Sequence, residues 1–267
     1  MKLTGERPIE GKTPSSLLAL HAAGYDAVID RLGSGRVLDL GCGLGDESVR
    51  LGGPGRSIVG IDYDPVTAGE AARSHAGLVT ACADGAVLPL RGESFDMVCS
   101  SHLIEHFVDP EHHVAEISRV LTSQGSAFFL TPNKPADFEN PYHVYLFDPD
   151  DLARMLGRHF DDVTVFGLDG DAAVKADFER RRKLARRLLA IDVLGLRHRL
   201  PRSAYVALHA TARRLAYPVL ATIARARRGR GTPEPVITAA QFSLTSDIDR
   251  STLVLFAVAR RPRRRAR

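Results

Sequence analysis

Short apolar runs alternate with segments of mixed polarity along most of this 267-residue chain. The runs at 37–40, 57–61, 78–83, 95–100, 127–131 and 163–167 read as strands, and 253–259 as a late, apolar last strand. Helices are predicted over 14–32, 47–51, 65–76, 109–121 and 149–157. Thr13 suits a cap and Pro14 a first helical position. Gly52, Gly53 and Pro54 end the second helix, and Pro132 stops the fifth strand. Apolar strands alternating with helices predict an α/β fold, a mostly parallel Rossmann-like sheet with helices on both faces.

Residues 172–232 break this rhythm and read as two or three arginine-rich helices. In the second, Tyr205, Leu208, Ala212, Leu215, Val219 and Ile223 recur at helical spacing, with a kink at Pro218. A joint follows from Gly229 to Pro235, and 260–267 is a basic tail. The resulting organisation is an N-terminal helical cap (1–35), a core (36–171 and 236–262), a basic helical insertion (172–235) and a disordered tail (263–267).

Composition adds one point. The net charge of +4 hides a division, because residues 1–174 hold 13 basic and 26 acidic side chains, whereas 175–267 hold 23 and 6. The C-terminal part therefore either meets an anionic surface or packs on its acidic neighbour. Cys42, Cys82 and Cys99 have neither metal spacing nor an even count, which fits a reducing, cytoplasmic setting. No signal peptide is visible, and no apolar run approaches the roughly 20 residues that span a bilayer.

The chemistry centres on residues 36–46, where an apolar run bearing Asp39 enters a loop with glycines at 41, 43 and 45. Such a loop lets a nucleotide-like ligand approach outward-pointing backbone N–H groups. Asp62 ends the second strand 21 residues after Gly41, where a carboxylate can accept two ribose hydroxyls. Dinucleotide enzymes use the same device, but this Gly-x-Gly-x-Gly spacing is one residue short of their fingerprint. Asp39 would repel a pyrophosphate and welcome an α-ammonium group. Asp84, after the third strand, can accept from an adenine amino group. Together these features fit S-adenosylmethionine.

Val37-Leu38-Asp39-Leu40-Gly41-Cys42-Gly43, Val59-Gly60-Ile61-Asp62, Ala83-Asp84-Gly85, Leu88-Pro89 and Phe95-Asp96-Met97-Val98 resemble the class I S-adenosylmethionine-dependent methyltransferases over residues 36–133. The resemblance implies a seven-stranded sheet whose last strand is antiparallel, with the helical insertion between strands six and seven. It also implies cofactor contacts from Gly41, Gly43, Asp62, Asp84, Ser100 and Ser101. Cys42, Gly45, Tyr63, Ala83 and Gly85 lie in the same segments and complete the candidate set with Asp39.

Methyl transfer to a hydroxyl needs a base. His102, Glu105 and His106 follow the fourth strand and share one face if the segment is a helical turn. They could hold a divalent metal or place a base. Ubiquinone-type O-methyltransferases are similar here, with an acid-x-x-Glu-His segment implicated in metal binding, but this chain has His102 in place of the acid. His106 could equally pack beside the cofactor. His143, after the fifth strand, is the second candidate base, and residues 140–152 resemble a stretch of many bacterial O-methyltransferases. Leu3-Thr4-Gly5-Glu6-Arg7-Pro8 resembles the opening of actinobacterial polysaccharide and glycolipid methyltransferases, as does 238–261. Arg7 could close over the methionine carboxylate or over substrate.

Topology places the basic insertion above the cofactor mouth, as a lid. Residues 178–189 combine an apolar stripe with cations and could lie on an anionic membrane, bind an acidic acceptor, or pack on the acidic body. Nucleic acid is not expected, since no stacking aromatics interleave with the arginines. The leading expectation is O-methylation of a small-molecule, glycan or lipid-linked hydroxyl, in the cytoplasm or at the inner face of the membrane. C- or N-methylation, an NAD-dependent dehydrogenase and a non-catalytic binder are the alternatives.

Overall fold

The computed structural model describes residues 13–137, 140, 142–189 and 236–264. In chain order, α1 (Ser15–Ile29), β1 (Gly35–Leu40), α2 (Ser48–Leu51), β2 (Arg56–Asp62), α3 (Pro65–Ser74) and β3 (Leu78–Cys82) come first. β4 (Phe95–Ser101), α4 (Pro110–Val120), β5 (Leu121–Pro132), α5 (Pro149–Leu156) and β6 (Phe160–Gly170) follow, then α6 (Ala172–Leu189), β7 (Phe242–Thr245) and β8 (Val254–Pro262). Three helices start with the same device. Asp64, Asp109 and Asp148 each cap a backbone N–H of the first turn, and each is followed by a proline whose missing N–H costs nothing there.

The sheet order is β3-β2-β1-β4-β5-β8-β6-β7. β1 to β5 pair in parallel, and β8 runs antiparallel between β5 and β6. The expectation of seven strands needs correction, because β7 is an eighth, antiparallel to β6 at the sheet edge. At four residues, β7 is too short to show a period of its own. The basic tail also needs correction. Pairing with β6 carries β8 through Pro262, Arg263 N–H donates to His159 C=O, and the Arg264 guanidinium donates to the carbonyls of Ser118 and Leu121.

Strand alternation sorts side chains into two cores. Leu38, Leu40, Val98, Phe129 and Leu255 pack with Val114, Ile117 and Leu156 of α4 and α5. Val37, Cys99, Phe128, Leu130 and Phe256 pack with Leu20, Ala23 and Val28 of α1. The sequence of connections turns back at β1, which leads to β2 and β3 on one side while β4 and β5 build the other. A crevice for ligands opens beyond the carboxyl ends of strands at such a reversal. The Arg7 segment, insertion residues 190–235 and the last three arginine-rich positions, 265–267, lie outside the described residues.

Candidate active site

The loop after β1 sits at this reversal. Gly41, Gly43 and Gly45 have left-handed φ values of 78°, 56° and 89°, which accounts for glycine at alternate positions. The N–H groups of Gly41 and Cys42 both donate to Ile61 C=O, at 2.8 and 3.0 Å, and Gly45 N–H closes the turn on Cys42 C=O at 3.0 Å. A Cβ added to Gly43 would meet nothing within 4 Å, so the crest of the loop is open. Asp62, buried at the end of β2, accepts Gly43 N–H through Oδ2 (3.1 Å) and Asp64 N–H through Oδ1 (2.9 Å). A carboxylate has about four acceptor sites, which suits this one to ribose hydroxyls as well. Tyr63 follows it and is 57% exposed.

Asp39 departs from expectation. It shares a strand face with Val37, so its side chain lies on the α1 side, fully buried. Tyr25 O–H donates to both of its oxygens, at 3.2 and 3.1 Å, and Ser48 O–H donates to Oδ2. Burial pushes its pKa up to about 6, against the pull of the Ser48 and Tyr25 hydrogen bonds. Asp39 therefore holds α1 and the start of α2 to β1.

Beyond β3, Ala83 is half-buried and Asp84 is exposed, with Asp84 Oδ1 accepting Ala86 N–H at 2.8 Å. Gly85 C=O accepts from Nδ1–H of His113 at 2.8 Å. Ser100 is wholly buried and its hydroxyl lies 2.9 Å from Nε2 of His113, so it braces the site from behind. Ser101 is also buried, and its hydroxyl is without a hydrogen-bond partner. The open glycine crest, the carboxylates after β2 and β3 and this orphaned hydroxyl fit an adenosine cofactor.

After β4 the chain makes a 3₁₀ turn, Ile104–His106, preceded by His102 in a left-handed conformation (φ 51°). Glu105 is fully buried. Its Oε2 accepts Thr131 O–H at 3.2 Å, and its carbonyl accepts the N–H groups of Val144 and Tyr145 at 2.8 and 3.1 Å. Burial alone would raise the Glu105 pKa, but His102, His106 and His143 overcome it and hold it at about 2. His106 Nδ1–H donates to Tyr142 C=O at 3.0 Å. The imidazole of His143 meets that of His106 edge-on, with centroids 5.3 Å apart. His143 Nδ1 lies 2.7 Å from Asp137 Oδ1, and Nε2 lies 3.1 Å from the Asn140 amide nitrogen.

Among the described residues, the groups whose ligand atoms come within 4.8 Å of one another are Glu105, His106 and His143. His102 is outside that group, although its Nδ1 lies 3.5 Å from Glu105 Oε1, and its ring packs against His21 of α1 with centroids 4.5 Å apart. Burial, reinforced by His102, lowers the pKa of His21 to about 3. Sequence reasoning missed His21, Asp137 and His113. Only Asp137, in the same loop as His143, left a local signal.

A family model described as "Methyltransferase domain" matches residues 38–129. A Mycobacterium tuberculosis protein named a probable S-adenosylmethionine-dependent methyltransferase is 29% identical over 176 residues, which cover 63% of this chain and 64% of the relative. The ubiquinone/menaquinone biosynthesis C-methyltransferase UbiE of Citrifermentans bemidjiense is 35% identical over 125 residues, covering 42% and 53%. The chain thus spans less than two thirds of the length of either relative. A SAM-dependent methyltransferase of known structure from Thermotoga maritima shares the fold, with TM-score 0.57 and 14% identity over 91% of this chain and 90% of that one. The glycine loop and the acids after β2 and β3 lie in or beside the segment that is similar to a methyltransferase domain, and the fold is the one shared with the Thermotoga maritima structure.

Proposed function

We propose that the chain methylates a hydroxyl oxygen of a small-molecule, glycan or lipid-linked acceptor. When bound, S-adenosylmethionine supplies an electrophilic methyl group on a sulfonium centre. The Gly41–Gly45 loop binds the methionine side by its backbone, Asp62 binds the ribose, and Asp84 accepts from the adenine amino group. Holding donor and acceptor in line is worth about 7–11 kcal/mol. His143 takes the hydroxyl proton at Nε2, in place of the Asn140 contact, while Asp137 keeps the other nitrogen protonated. Glu105, His106 and His143 would instead hold a divalent cation where one is used, and it would polarise the acceptor oxygen.

The observation that carries oxygen as the target is the Asp137–His143 pair, a base oriented by a carboxylate beyond the carboxyl end of β5. Labelled methyl transfer into cell extract, split into lipid, glycan, small-molecule and RNA fractions, tests the reading. Activity that survives His106→Ala and His143→Ala would favour C- or N-methylation instead.

In the described start of the basic insertion, several cations pair with acids of the same helix. Arg180 and Arg181 pair with Asp177, which also accepts Ser16 O–H of α1, and Arg182 and Lys183 pair with Glu179. No helix among the described residues is long and apolar enough to cross a membrane. Co-sedimentation with anionic vesicles at low salt tests the peripheral contact, and absence of binding there would exclude it.

A further inference from the structure

We infer that one face of α4 is a clamp on the loop that reads adenine, and that His113 is the positioning residue of this clamp. The inference rests on the cofactor reading above. The loop from Ala83 to Leu90 makes few hydrogen bonds of its own. Val87 N–H donates to Asp84 C=O at 3.0 Å, and Ala86 N–H to Asp84 Oδ1 at 2.8 Å.

Further contacts come from α4. His113 Nδ1–H donates to Gly85 C=O at 2.8 Å, and Glu116 Oε2 accepts Leu88 N–H at 2.7 Å. The Arg119 guanidinium donates to Leu88 C=O at 3.0 Å and to Leu90 C=O at 2.8 Å. Residues three apart lie on one side of a helix, so His113, Glu116 and Arg119 hold the loop at Gly85, Leu88 and Leu90.

His113 is the member nearest Asp84, and the surrounding contacts fix its tautomer. A carbonyl can only accept, so Nδ1 carries the proton. Nε2 is then the acceptor, and Ser100 O–H donates to it at 2.9 Å. The ring is wholly buried, and Phe107 stacks on it at 4.6 Å with 19° between planes. Burial lowers its pKa to about 4, so it is neutral near pH 7. A Cβ on residue 85 would come 3.2 Å from both Nδ1 of His113 and Cζ of Phe107, so the close approach suits glycine.

The sheet order puts β2 and β1 between β3 and β4. His113 therefore links the segments that leave the sheet on either side of the crevice. It occupies the Gly85 carbonyl and leaves the exposed Asp84 carboxylate to accept the adenine amino group.

Calorimetry on the full chain tests this with S-adenosylhomocysteine and with S-inosylhomocysteine, which lacks the adenine amino group. His113→Phe keeps the stacking and loses both hydrogen bonds. We expect it to weaken S-adenosylhomocysteine about tenfold, or about 1.4 kcal/mol, and to leave S-inosylhomocysteine unchanged. His113→Asn, whose amide nitrogen replaces Nδ1, should rescue most of the loss, and His113→Gln, which replaces Nε2, should not. Wild-type affinity or unchanged discrimination in His113→Phe overturns the inference. If that variant does not fold, equal affinities for the Asn and Gln variants overturn it. Failure of the wild-type chain to bind S-adenosylhomocysteine would sink the cofactor reading, and this inference with it.

Discussion

Asp137 and His143 meet at 2.7 Å across six residues of loop, Oδ1 accepting from Nδ1–H. Both are largely buried, so the pair is shielded from competing water. The loop is held at both ends. Glu105 C=O accepts the N–H groups of Val144 and Tyr145, and Arg182 of α6 donates to Pro135 C=O at 3.2 Å. A buried carboxylate that fixes one imidazole nitrogen determines which nitrogen is left to act as a base.

His143→Gln should therefore reduce methyl transfer to a hydroxyl by about 10²–10⁴-fold, the usual contribution of a general base. Asp137→Asn should reduce it less, since the imidazole remains. Neither should change the affinity for S-adenosylhomocysteine. Rates and calorimetry on the same preparations check this, and full activity of His143→Gln would remove the base from the mechanism.

Asp62→Asn should weaken S-adenosylhomocysteine by about 10–100-fold, because hydrogen bonds to a charged group are worth about 1.5–3 kcal/mol. The variant also loosens Gly43, whose N–H the carboxylate accepts. An unchanged dissociation constant would place the ribose elsewhere.

Gly60→Ala should disturb the cofactor loop from beneath. A Cβ on residue 60 would lie 2.9 Å from both Cβ and Sγ of Cys42, a side chain too short to swing away without its backbone. We expect a stability loss of about 1–3 kcal/mol from overpacking, together with weaker S-adenosylhomocysteine binding. Thermal melts with and without ligand separate the two effects, and a normal ligand-induced shift would show the loop undisturbed.

Asp39 gives the protein an unusual pH response. Its folded pKa of about 6 lies above the ordinary 3.8. Between those values the native state keeps a proton that the unfolded chain releases, so this residue's contribution to stability falls as pH rises. The penalty is complete above about pH 6 and amounts to roughly 3 kcal/mol. Urea unfolding at pH 4.5 and pH 7 should show this falling component in the wild type and its absence in Asp39→Asn. Identical pH dependence in the two proteins would contradict it.

The strand–helix alternation, the glycine loop and the acids after β2 and β3 were all legible along the chain, because each is a local pattern. Four-residue β7 was not, since its pairing with β6 supplies the regularity that its sequence lacks. The side-chain partners of Asp39 and Ser100 were not legible, because linear proximity to a motif does not say which way a strand side chain faces. In the structure Tyr25 and Ser48 claim Asp39, and His113 claims Ser100.

By itself the sequence determined the strand–loop–helix pattern and the resemblance it carries, through backbone-permissive glycines and carboxylates at strand ends, whose roles depend on neighbours close in the chain. Only the tertiary structure decided which histidines meet. His102 lies between His21 and Glu105, while Glu105, His106 and His143 came together with Asp137 bonded to His143. The physical reason is that these residues leave the sheet from β4 and β5. Their distances are set by strand register and by the left-handed turn at His102, which no local pattern of apolar and polar residues encodes.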